Sequence, residues 1–465
     1  STESKKKTII AVMNTSQLFV IIVLIFVSAW TMISVLSGKQ ITIPTNNPKH
    51  EDIKINIFYF GAIVGVIIFL LTGRISIREC FQTLIGDAHL SPIGILILFL
   101  SMAYISIFLD YCGFFSFCAE CAVQYAGRSQ IRLFIILYAT VSILTIFTSN
   151  DIIILTFTPF IYYFTSHHKI NPMPYLIAEF FAANTWSMTL YIGNPTNILL
   201  SDAFSISFAE YLSVMWLPAA AAGIANFILV FVIFRKSLMT EMTQPLRNET
   251  PHLKDKHGTI VGLIILTVCI ISLSMAQLLQ IQTWEISFFF ALLLLSFIII
   301  RMLYNFIKCH RANKPFKNPI LIHTFKKMPW NVIPFVLSLA IIVRTAAHNE
   351  ITTHIGQWLA GISGSSEHLA ISVFGIASTL AANLLNNIPM SVFFVSVVES
   401  VPTEITKAAT YSSIIGSNLG ANITPVAALA GIMWMTILKN HGIQFSFADF
   451  VRYGTIVTLF ALSAA

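Results

Sequence analysis

Charged side chains are scarce in this chain of 465 residues, of which they make up only 10%. Soluble proteins carry about 25% charged residues, so the composition excludes a soluble globular protein. Apolar side chains take their place: 56% of the residues are hydrophobic, and the mean hydropathy is +0.80. The sequence therefore predicts a polytopic membrane protein of the all-α class.

Sequence motifs of common enzyme classes are missing too. The chain contains no Walker A sequence, no H-E-x-x-H motif and no G-x-S-x-G elbow, which argues against ATP hydrolysis within this chain and against soluble-type catalysis. It also lacks a large soluble domain, so any chemistry takes place within the membrane. We expect a transporter rather than an enzyme, with no cofactor beyond a coupling ion.

The net charge of +7 does not indicate a nucleic-acid partner, because the basic residues cluster between hydrophobic runs. The clusters lie at residues 235–256 and 301–327, and Lys5-Lys6-Lys7 forms a third. Under the positive-inside rule, such clusters mark cytoplasmic segments. We therefore expect an integral protein of the cell membrane (inner or plasma) with a cytoplasmic N-terminus, and with the lipid bilayer as a partner.

Cysteine is scarce as well, and among six scattered residues only Cys118 and Cys121 form a C-x-x-C pair. Together with Cys112, this pair could bind a trivalent metalloid, because thiolates bind soft ions. Three thiolates would hold such an ion too tightly for rapid release, however, and the pair falls in a segment typical of a surface helix. We interpret these cysteines as packing residues and expect no metal site.

Apolar runs that approach the roughly 20 residues needed to span a bilayer recur along the whole chain. The predicted spans cover residues 18–36, 57–71, 93–109, 131–147, 175–192, 214–234, 259–279, 286–300 and 330–343. Residues 114–125 are typical of an interfacial helix. Residues 152–164 are too short to cross alone and predict the returning limb of a re-entrant hairpin. In all, about 10 to 12 membrane segments fit, with two hairpins among them.

The two halves of the chain share the order of their features, which predicts an internal repeat. Pro92, Leu100, Ser101, Ala103 and Ile105 recur at an offset of 237. Asn150-Asp151 falls on Asn386-Asn387 at an offset of 236, and Gly193 falls on Gly416 at an offset of 223. Opposite topology is the commoner arrangement for transporter repeats, so we expect two inverted repeats, each with a hairpin and a broken helix. The predicted division is N-terminal spans (1–90), first repeat (91–235), basic loops with linking spans (236–328) and second repeat (329–465).

Polar stretches interrupt the apolar sequence at matching places in the two halves. Each pairs an Asn-rich tip with a later Gly/Asn/Pro break: residues 148–151 with 192–197, and residues 383–389 with 415–425. Backbone groups freed at membrane depth must be satisfied by protein or by water in a cavity, so paired breaks point to a binding site. The predicted substrate-binding residues are Asn150, Gly193, Asn194, Asn197, Asn386, Asn387, Gly416, Ser417, Asn418 and Asn422.

The chemistry of these residues suits a polar solute. Asn150, Asn386 and Asn387 lie where half-helices would begin, and a helix N-terminus offers free N–H donors and about half a positive charge. Two such ends would bind an anion or an oxygen-rich solute, and amide side chains suit a hydroxylated neutral or weakly acidic one. Backbone carbonyls near Gly193 and Gly416 could equally hold Na⁺. The structural alternative is that the asparagines only cap helix ends.

Three carboxylates fall at or inside predicted membrane segments: Asp151, Asp110 and, in third place, Glu179. A carboxylate at membrane depth is energetically expensive and is typical of proton or cation pathways. Asp151 lies beside the predicted site and is the better candidate for ion coupling. For Asp110, at the end of a span, coupling and a capping or exposed role both remain open. The coupling ion is H⁺ or Na⁺.

Several groups of residues resemble the ArsB family of arsenite/antimonite efflux permeases, within the ion-transporter superfamily that includes Na⁺/H⁺ antiporters and divalent anion/Na⁺ symporters. They lie at residues 108–115, 149–151, 155–159, 201–204, 329–330, 386–389, 415–420 and 423–425. The resemblance is collinear over roughly residues 91–460. It implies an inverted-repeat permease that exports arsenite in exchange for protons, with its substrate between the two hairpin tips.

The resemblance also implies partners: a small inorganic solute or anion, a homodimer, which is the superfamily's habit, and in some members an ATPase subunit. Two features depart from the family. Asn418 stands where the family usually has an acidic residue, and the break at Gly193, Asn194 and Asn197 is similar to that of sodium-coupled carboxylate carriers. The alternatives are therefore a Na⁺-coupled carrier of an inorganic or carboxylate anion and, less favoured, a Na⁺/H⁺ antiporter.

Overall fold

The computed structural model describes residues 14–37, 40–43, 53–86, 91–240, 251–311 and 319–465. The predicted basic segments at Lys5-Lys6-Lys7, residues 241–250 and residues 312–318 lie outside these ranges. The described chain is almost entirely helical. Its strands are β1 (Gln40–Ile43) and β2 (Ile53–Asn56), which pair antiparallel with Gln40 opposite Asn56.

Helices of the first half begin with three that precede the predicted repeat and continue to the long helix that closes it. They are α1 (Thr15–Ser37), α2 (Phe60–Leu71), α3 (Ile77–Ile85), α4 (Pro92–Tyr111), α5 (Phe114–Ala126), α6 (Gln130–Phe147), α7 (Asn150–His168), α8 (Met173–Trp186), the 3₁₀ turn Tyr191–Gly193, α9 (Pro195–Ala203) and α10 (Phe208–Leu238).

Linking helices and the second half follow. They are α11 (Lys256–Ser274), α12 (Ala276–Leu279), α13 (Thr283–Arg311), α14 (Pro319–Lys327), α15 (Val332–His348), α16 (Ile351–Ser363), α17 (Glu367–Leu385), α18 (Asn387–Val398), α19 (Thr403–Gly420), the 3₁₀ turn Pro425–Ala427, α20 (Leu429–Asn440) and α21 (Phe447–Ala464).

Helices long and apolar enough to cross a membrane number nine within the described ranges, and two shorter apolar helices, α2 and α18, accompany them. This confirms the prediction of an all-α polytopic membrane protein. Two predicted boundaries are wrong: the span expected at residues 175–192 ends at Trp186, and the limb expected at residues 152–164 runs from Asn150 to His168. At about 1.5 Å per residue, its 19 residues span roughly 28 Å, because polar Thr and His residues extend the helix beyond the apolar run.

The order of elements from α4 to α10 recurs from α15 to α21, including a 3₁₀ turn between two short helices in each half. The two 3₁₀ turns and the helices that flank them match at an offset of 234, which pairs Asn184 with Asn418. The predicted offset of 223, which paired Gly193 with Gly416, is therefore wrong at this place. The relative orientation of the two repeats stays a prediction.

Gly416, Ser417 and Asn418 lie inside α19, whereas the break of the second half covers residues 421–428. The sequence placed the break too early because Gly416 looks like a helix breaker. Its role is close packing: a Cβ added there would lie 2.0 Å from Ser378 Oγ and 2.6 Å from Gly375 O on α17. A helix glycine that lets a second backbone approach is compatible with an unbroken helix.

The chain divides into two compact units. The first contains residues 1–93, 331–421 and 426–428, and α17 packs along α19 in it. The second contains residues 94–330, 422–425 and 429–465. In this second unit α8 packs against α6, α7 and α10, and 12 of its 14 residues are buried. The four-part division drawn from the sequence stays a prediction.

Candidate functional site

The tip of the first half lies between α6 and α7. Ser149 has extended backbone and precedes Asn150, the first residue of α7. The Asn150 side chain is buried and uses both ends of its amide: Oδ1 accepts from the backbone N–H of Asp151 at 2.9 Å, and Nδ2 donates to Asn184 Oδ1 at 3.0 Å. Asn150 therefore bonds both to the backbone of the first turn of α7 and to a second polar side chain.

Asn184 extends this connection to the break of the second half. Its Nδ2 donates to Asn422 Oδ1 at 3.0 Å, and both side chains are fully buried. Nδ2 of Asn422 has no hydrogen-bond partner among the described residues. Asn150, Asn184 and Asn422, here called the amide chain, thus form a buried row of side chains that ends in an unused donor. A buried unpaired N–H is costly, and a polar solute would satisfy it.

The sequence did not single out Asn184 as a site residue. Its signal was the match to Asn418 at the offset of 234, which becomes visible only when the two breaks are correctly aligned. Both residues lie two positions before the last residue of a half-helix, Trp186 or Gly420.

The first break covers residues 187–194, so it begins five residues before the predicted 192–197, and α9 already starts at Pro195. Residues predicted for this break complete its hydrogen bonds. Asn197 Nδ2 donates to Ser187 O at 2.9 Å and to Leu190 O at 3.1 Å, and Asn194 Oδ1 accepts from Thr196 N–H at 3.3 Å. A Cβ on Gly193 would lie 2.1 Å from Ser187 O. These residues satisfy or accommodate backbone released by the break, which supports the structural alternative for Asn194 and Asn197.

The tip of the second half lies between α17 and α18, the position that matches the first tip, but its side chain makes different hydrogen bonds. Asn386 caps α18 with a positive φ of 76°, its Oδ1 accepts from Ile388 N–H at 3.4 Å, and its Nδ2 donates to Val426 O at 2.9 Å. Asn387 is buried at the first position of α18. This tip is therefore connected to the backbone of the second 3₁₀ turn.

Ser417 and Asn418 face polar groups inside α19 and α18. Ser417 Oγ lies 3.4 Å from Ser391 Oγ, and Asn418 Nδ2 donates to Ile414 O, one turn earlier, at 2.9 Å. Both are fully buried. The structure thus places Asn386, Asn387, Ser417 and Asn418 in the first unit, and the amide chain with Asp151 in the second.

The candidate carboxylates differ in their partners. Asp110, next to the last residue of α4, accepts from Lys327 Nζ at 2.8 Å and from Thr156 Oγ1 at 3.0 Å. Asp151 lies in the first turn of α7, partly buried, and no described Lys, Arg or His forms an ion pair with it. Asp110 is therefore anchored by a cation, whereas Asp151 is not; their coupling roles stay predictions.

The cysteines are poorly suited to bind a soft ion. Burial, with a smaller contribution from Cys121, raises the pKa of the Cys118 thiol to about 11, and burial raises the pKa of Cys112 to about 12. Since the thiolate is the ligand, neutral pH leaves these groups protonated. Within the described ranges, no group of three His, Cys, Asp or Glu side chains is arranged to hold a metal ion.

The chemistry of the amide chain is that of neutral donors and acceptors. Its recorded hydrogen bonds join asparagines and backbone, and the ion pairs of the described chain, Lys327–Asp110 and Arg301–Asp255, involve other residues. Such a site recognises hydroxyl or carbonyl groups by hydrogen bonds rather than by charge.

Known proteins share both sequence and fold with this chain. The CitMHS family, described as citrate transporter, matches residues 58–309, which is more than half of the chain. The arsenical pump membrane protein of Escherichia coli (strain K12) is 25% identical over 409 residues, covering 86% of this chain and 90% of that protein. The arsenical pump membrane protein of Yersinia enterocolitica is 25% identical over 369 residues, covering 78% and 82%.

A solved structure has a similar fold. The YdaH transporter of Alcanivorax borkumensis superposes with a TM-score of 0.54 and 12% sequence identity, covering 97% of this chain and 96% of that one. These comparisons confirm the resemblance to ArsB-type permeases of the ion-transporter superfamily, and the apolar helices confirm an integral membrane protein. The chain is a secondary transporter of the cell membrane, and it belongs to the CitMHS family.

Proposed function

We propose that the protein exports arsenite or antimonite, as the uncharged trihydroxy species, in exchange for protons. The observation that carries the proposal is the amide chain, a buried row of neutral side chains that ends in the unpaired Nδ2 of Asn422. Two relatives that cover most of the chain are named arsenical pump membrane proteins, which favours the same solute.

Hydrogen bonding explains why this site suits such a solute. A trihydroxy species carries three groups that both donate and accept, and it brings no charge that needs a counter-ion. Amide side chains supply the complementary donors and acceptors. A multiply charged carboxylate would instead favour a bidentate Arg, and the arginine in a described ion pair, Arg301, is bonded to Asp255.

A second candidate is a Na⁺-coupled carrier of a carboxylate such as citrate. The description of the matched family favours it, and so do the N-termini of α7 and α18, because the positive end of a helix dipole attracts anions. Asn418, which replaces the usual acidic residue, points the same way. The two candidates differ in coupling ion and in the charge of the solute.

Transport in everted membrane vesicles separates the candidates. We expect arsenite to accumulate under an imposed proton gradient and not under a sodium gradient. Accumulation that fails under both gradients would refute the proposal, and sodium-dependent citrate uptake would then establish the second candidate. Assays without ATP, with ATP, and with an added ATPase subunit would test the proposed ATPase partner, and the mass of the purified complex would test the proposed homodimer.

The role of the amide chain is tested by Asn422→Ala. Loss of one hydrogen bond to the solute is expected to weaken apparent affinity about tenfold, which corresponds to roughly 1.4 kcal/mol. Asn226→Ala is the matched control, since Asn226 is also fully buried and donates to Thr185 Oγ1, one position beyond Asn184. Equal affinity losses in both variants would contradict the assignment.

Asp151→Asn tests the proposed coupling role of Asp151. Proton-coupled export is expected to be abolished, because the side chain can no longer bind or release a proton. A carrier whose Na⁺ is held by backbone carbonyls would be largely spared. Retention of proton-driven accumulation in this variant would remove Asp151 from the proposal.

A further inference from the structure

Glu179 is an enclosed carboxyl group in the middle of α8, only 2% exposed. Thr158 Oγ1 on α7 lies 3.0 Å from Oε1 and 3.2 Å from Oε2, and Trp434 Nε1 on α20 donates to Oε2 at 3.3 Å. All its recorded partners are therefore neutral. The group joins three helices that belong to the same unit, including the one that follows the second break.

Aromatic side chains close the space around this carboxyl group. The Trp434 ring packs against Phe180 at 5.2 Å, Phe445 at 5.5 Å and Phe450 at 5.8 Å between ring centroids. Thr158 is fully buried and Trp434 is 1% exposed. The group consequently has an apolar wall on the side of Trp434, and its 2% exposure leaves little solvent to stabilise a negative charge.

Charged groups on the surrounding helices do not compensate for this burial. On α7, Asp151 and His168 lie seven and ten residues from Thr158, about 10 and 15 Å along the helix. Lys439 is five residues beyond Trp434 on α20.

Cations on the other neighbouring helices do not contact the Glu179 carboxyl group either: Arg132 on α6, Arg235 on α10 and Arg452 on α21. No described Lys, Arg or His lies within 4.0 Å of the Glu179 oxygens.

We propose that Glu179 holds a proton in this conformation and is the interior carrier of the coupling proton. An ionised carboxylate at membrane depth without a cation is strongly disfavoured, whereas the protonated form needs only neutral partners. Thr158 serves either form, because a hydroxyl donates to the carboxylate and accepts from the carboxyl O–H. When the proton leaves, the carboxylate keeps the hydrogen bonds from Thr158 and Trp434 until it is reprotonated.

Asp151 differs from Glu179 in exposure and in position. It is partly exposed and lies in the first turn of α7, at the positive end of the helix dipole. Glu179 is buried in the middle of α8, away from both helix ends. The two carboxyl groups therefore offer a partly exposed and an enclosed position for the coupling proton.

Infrared spectroscopy of the reconstituted protein tests the protonation of Glu179 without any substrate. At neutral pH the wild type is expected to show a carboxylic-acid C=O band that shifts in D₂O and disappears in Glu179→Gln. The band should persist in the matched variant Asp151→Asn. A wild-type band that survives in Glu179→Gln, or a wild-type spectrum without such a band, would overturn the proposal.

Transport provides the second test, and this part rests on the proposed proton-coupled export. In proteoliposomes, Glu179→Gln should lose at least about 90% of proton-driven arsenite accumulation but retain arsenite–arsenite exchange, which needs no net proton movement. Unchanged accumulation with the pH profile of the wild type would contradict the inference. If the wild type moves no arsenite, the proposed function fails, and the infrared result still decides the inference.

Two further variants keep the test decisive if Glu179→Gln does not fold. Thr158→Val and Trp434→Phe each remove one hydrogen bond and leave the carboxyl group in place. Each is expected to shift the frequency of the carboxylic-acid band without abolishing it, because hydrogen bonding changes the C=O stretch. A frequency identical to that of the wild type in both variants would refute the assignment.

Discussion

The two asparagine tips occupy the same place in the two halves of the chain, but one bonds to side chains and the other to a backbone carbonyl. Asn150 connects to the side chains of Asn184 and, through it, of Asn422, and the row ends in an unpaired donor. Asn386 connects to the backbone oxygen of Val426 and takes a positive φ to do so. One tip ends in a side chain with spare hydrogen-bonding capacity, and the other ends in the main chain.

The difference separates two uses of one repeated motif. A side-chain row with a spare donor can recognise a solute, and Nδ2 of its last member, Asn422, has no partner among the described residues. A side chain bonded to a backbone carbonyl positions the 3₁₀ turn that carries it. We therefore expect substitutions at the first tip to act chiefly on transport and those at the second to act chiefly on stability.

The largest expected effect comes from Asn184→Leu. Asn184 is the middle member of the amide chain, so its loss leaves Asn150 Nδ2 and Asn422 Oδ1 without their partners. Each buried unpaired group costs about 1–3 kcal/mol, and we expect export to fall by roughly 100-fold or more, about 2.7 kcal/mol. Initial rates in vesicles, normalised to protein amount, measure this. Asn226→Leu is the control. Export close to that of the wild type in Asn184→Leu would contradict a transport role for the first tip.

The second tip is tested by a pair of substitutions at Asn386. Asn386→Ala removes the hydrogen bond to Val426 O and leaves an alanine at φ 76°. We therefore expect the free energy of unfolding to fall by roughly 2–3 kcal/mol. Asn386→Gly loses the same bond but tolerates the backbone, and should be about 1 kcal/mol more stable than the alanine variant. Thermal unfolding in detergent ranks the three proteins. If the two variants were equally stable, tolerance of the positive φ at residue 386 would not contribute to the stability that Asn386 provides.

A smaller effect is expected at the ion pair between the C-terminal ends of α4 and α14. Asp110 pairs with Lys327, whose side chain is 49% exposed, and half-exposed ion pairs contribute about 0–1 kcal/mol. Asp110→Asn and Lys327→Met should therefore lower stability slightly and to the same extent, less so in high salt. If Asp110→Asn alone abolished proton-driven export, Asp110 would take the coupling role that the sequence left open.

The smallest effect is expected from Cys118→Ser with Cys121→Ser. If amides recognise the solute, arsenite export should stay within about twofold of the wild type, a change of roughly 0.4 kcal/mol. Because burial raises the pKa of Cys118 to about 11, its alkylation should be slow at neutral pH and rise about tenfold per pH unit below that value. Loss of export in the double variant would show that the thiols of Cys118 and Cys121 take part in transport.

Much of the fold was predictable because long apolar runs have a single solution in a bilayer. The helices around residues 18–36, 93–109 and 131–147 appear where hydropathy places them. Both asparagine tips also lie at helix starts, as the local pattern predicts, and each amide oxygen accepts from a backbone N–H of the first turn. The boundary of α7 was misjudged because hydropathy measures lipid preference, and polar Thr and His residues remain good enough helix formers to continue the helix.

The amide chain could only be predicted in part. Asn150 and Asn422 were named from local pattern, but Asn184 joins them through contacts between residues 34 and 238 positions apart. No local pattern reports such a contact. The prediction of a helix break at Gly416 was wrong for a related reason. A glycine marks either a break or a close helix contact, and only the position of Ser378 on α17 distinguishes the two.

Asn197 has a consequence for how the protein enters the membrane. The carbonyls of Ser187 and Leu190 accept hydrogen bonds from a side chain seven to ten residues later. The nine residues of α9 make about 14 Å of helix, less than half of the roughly 30 Å hydrocarbon thickness. We therefore expect α8, the break and α9 to insert into the bilayer together, as one unit.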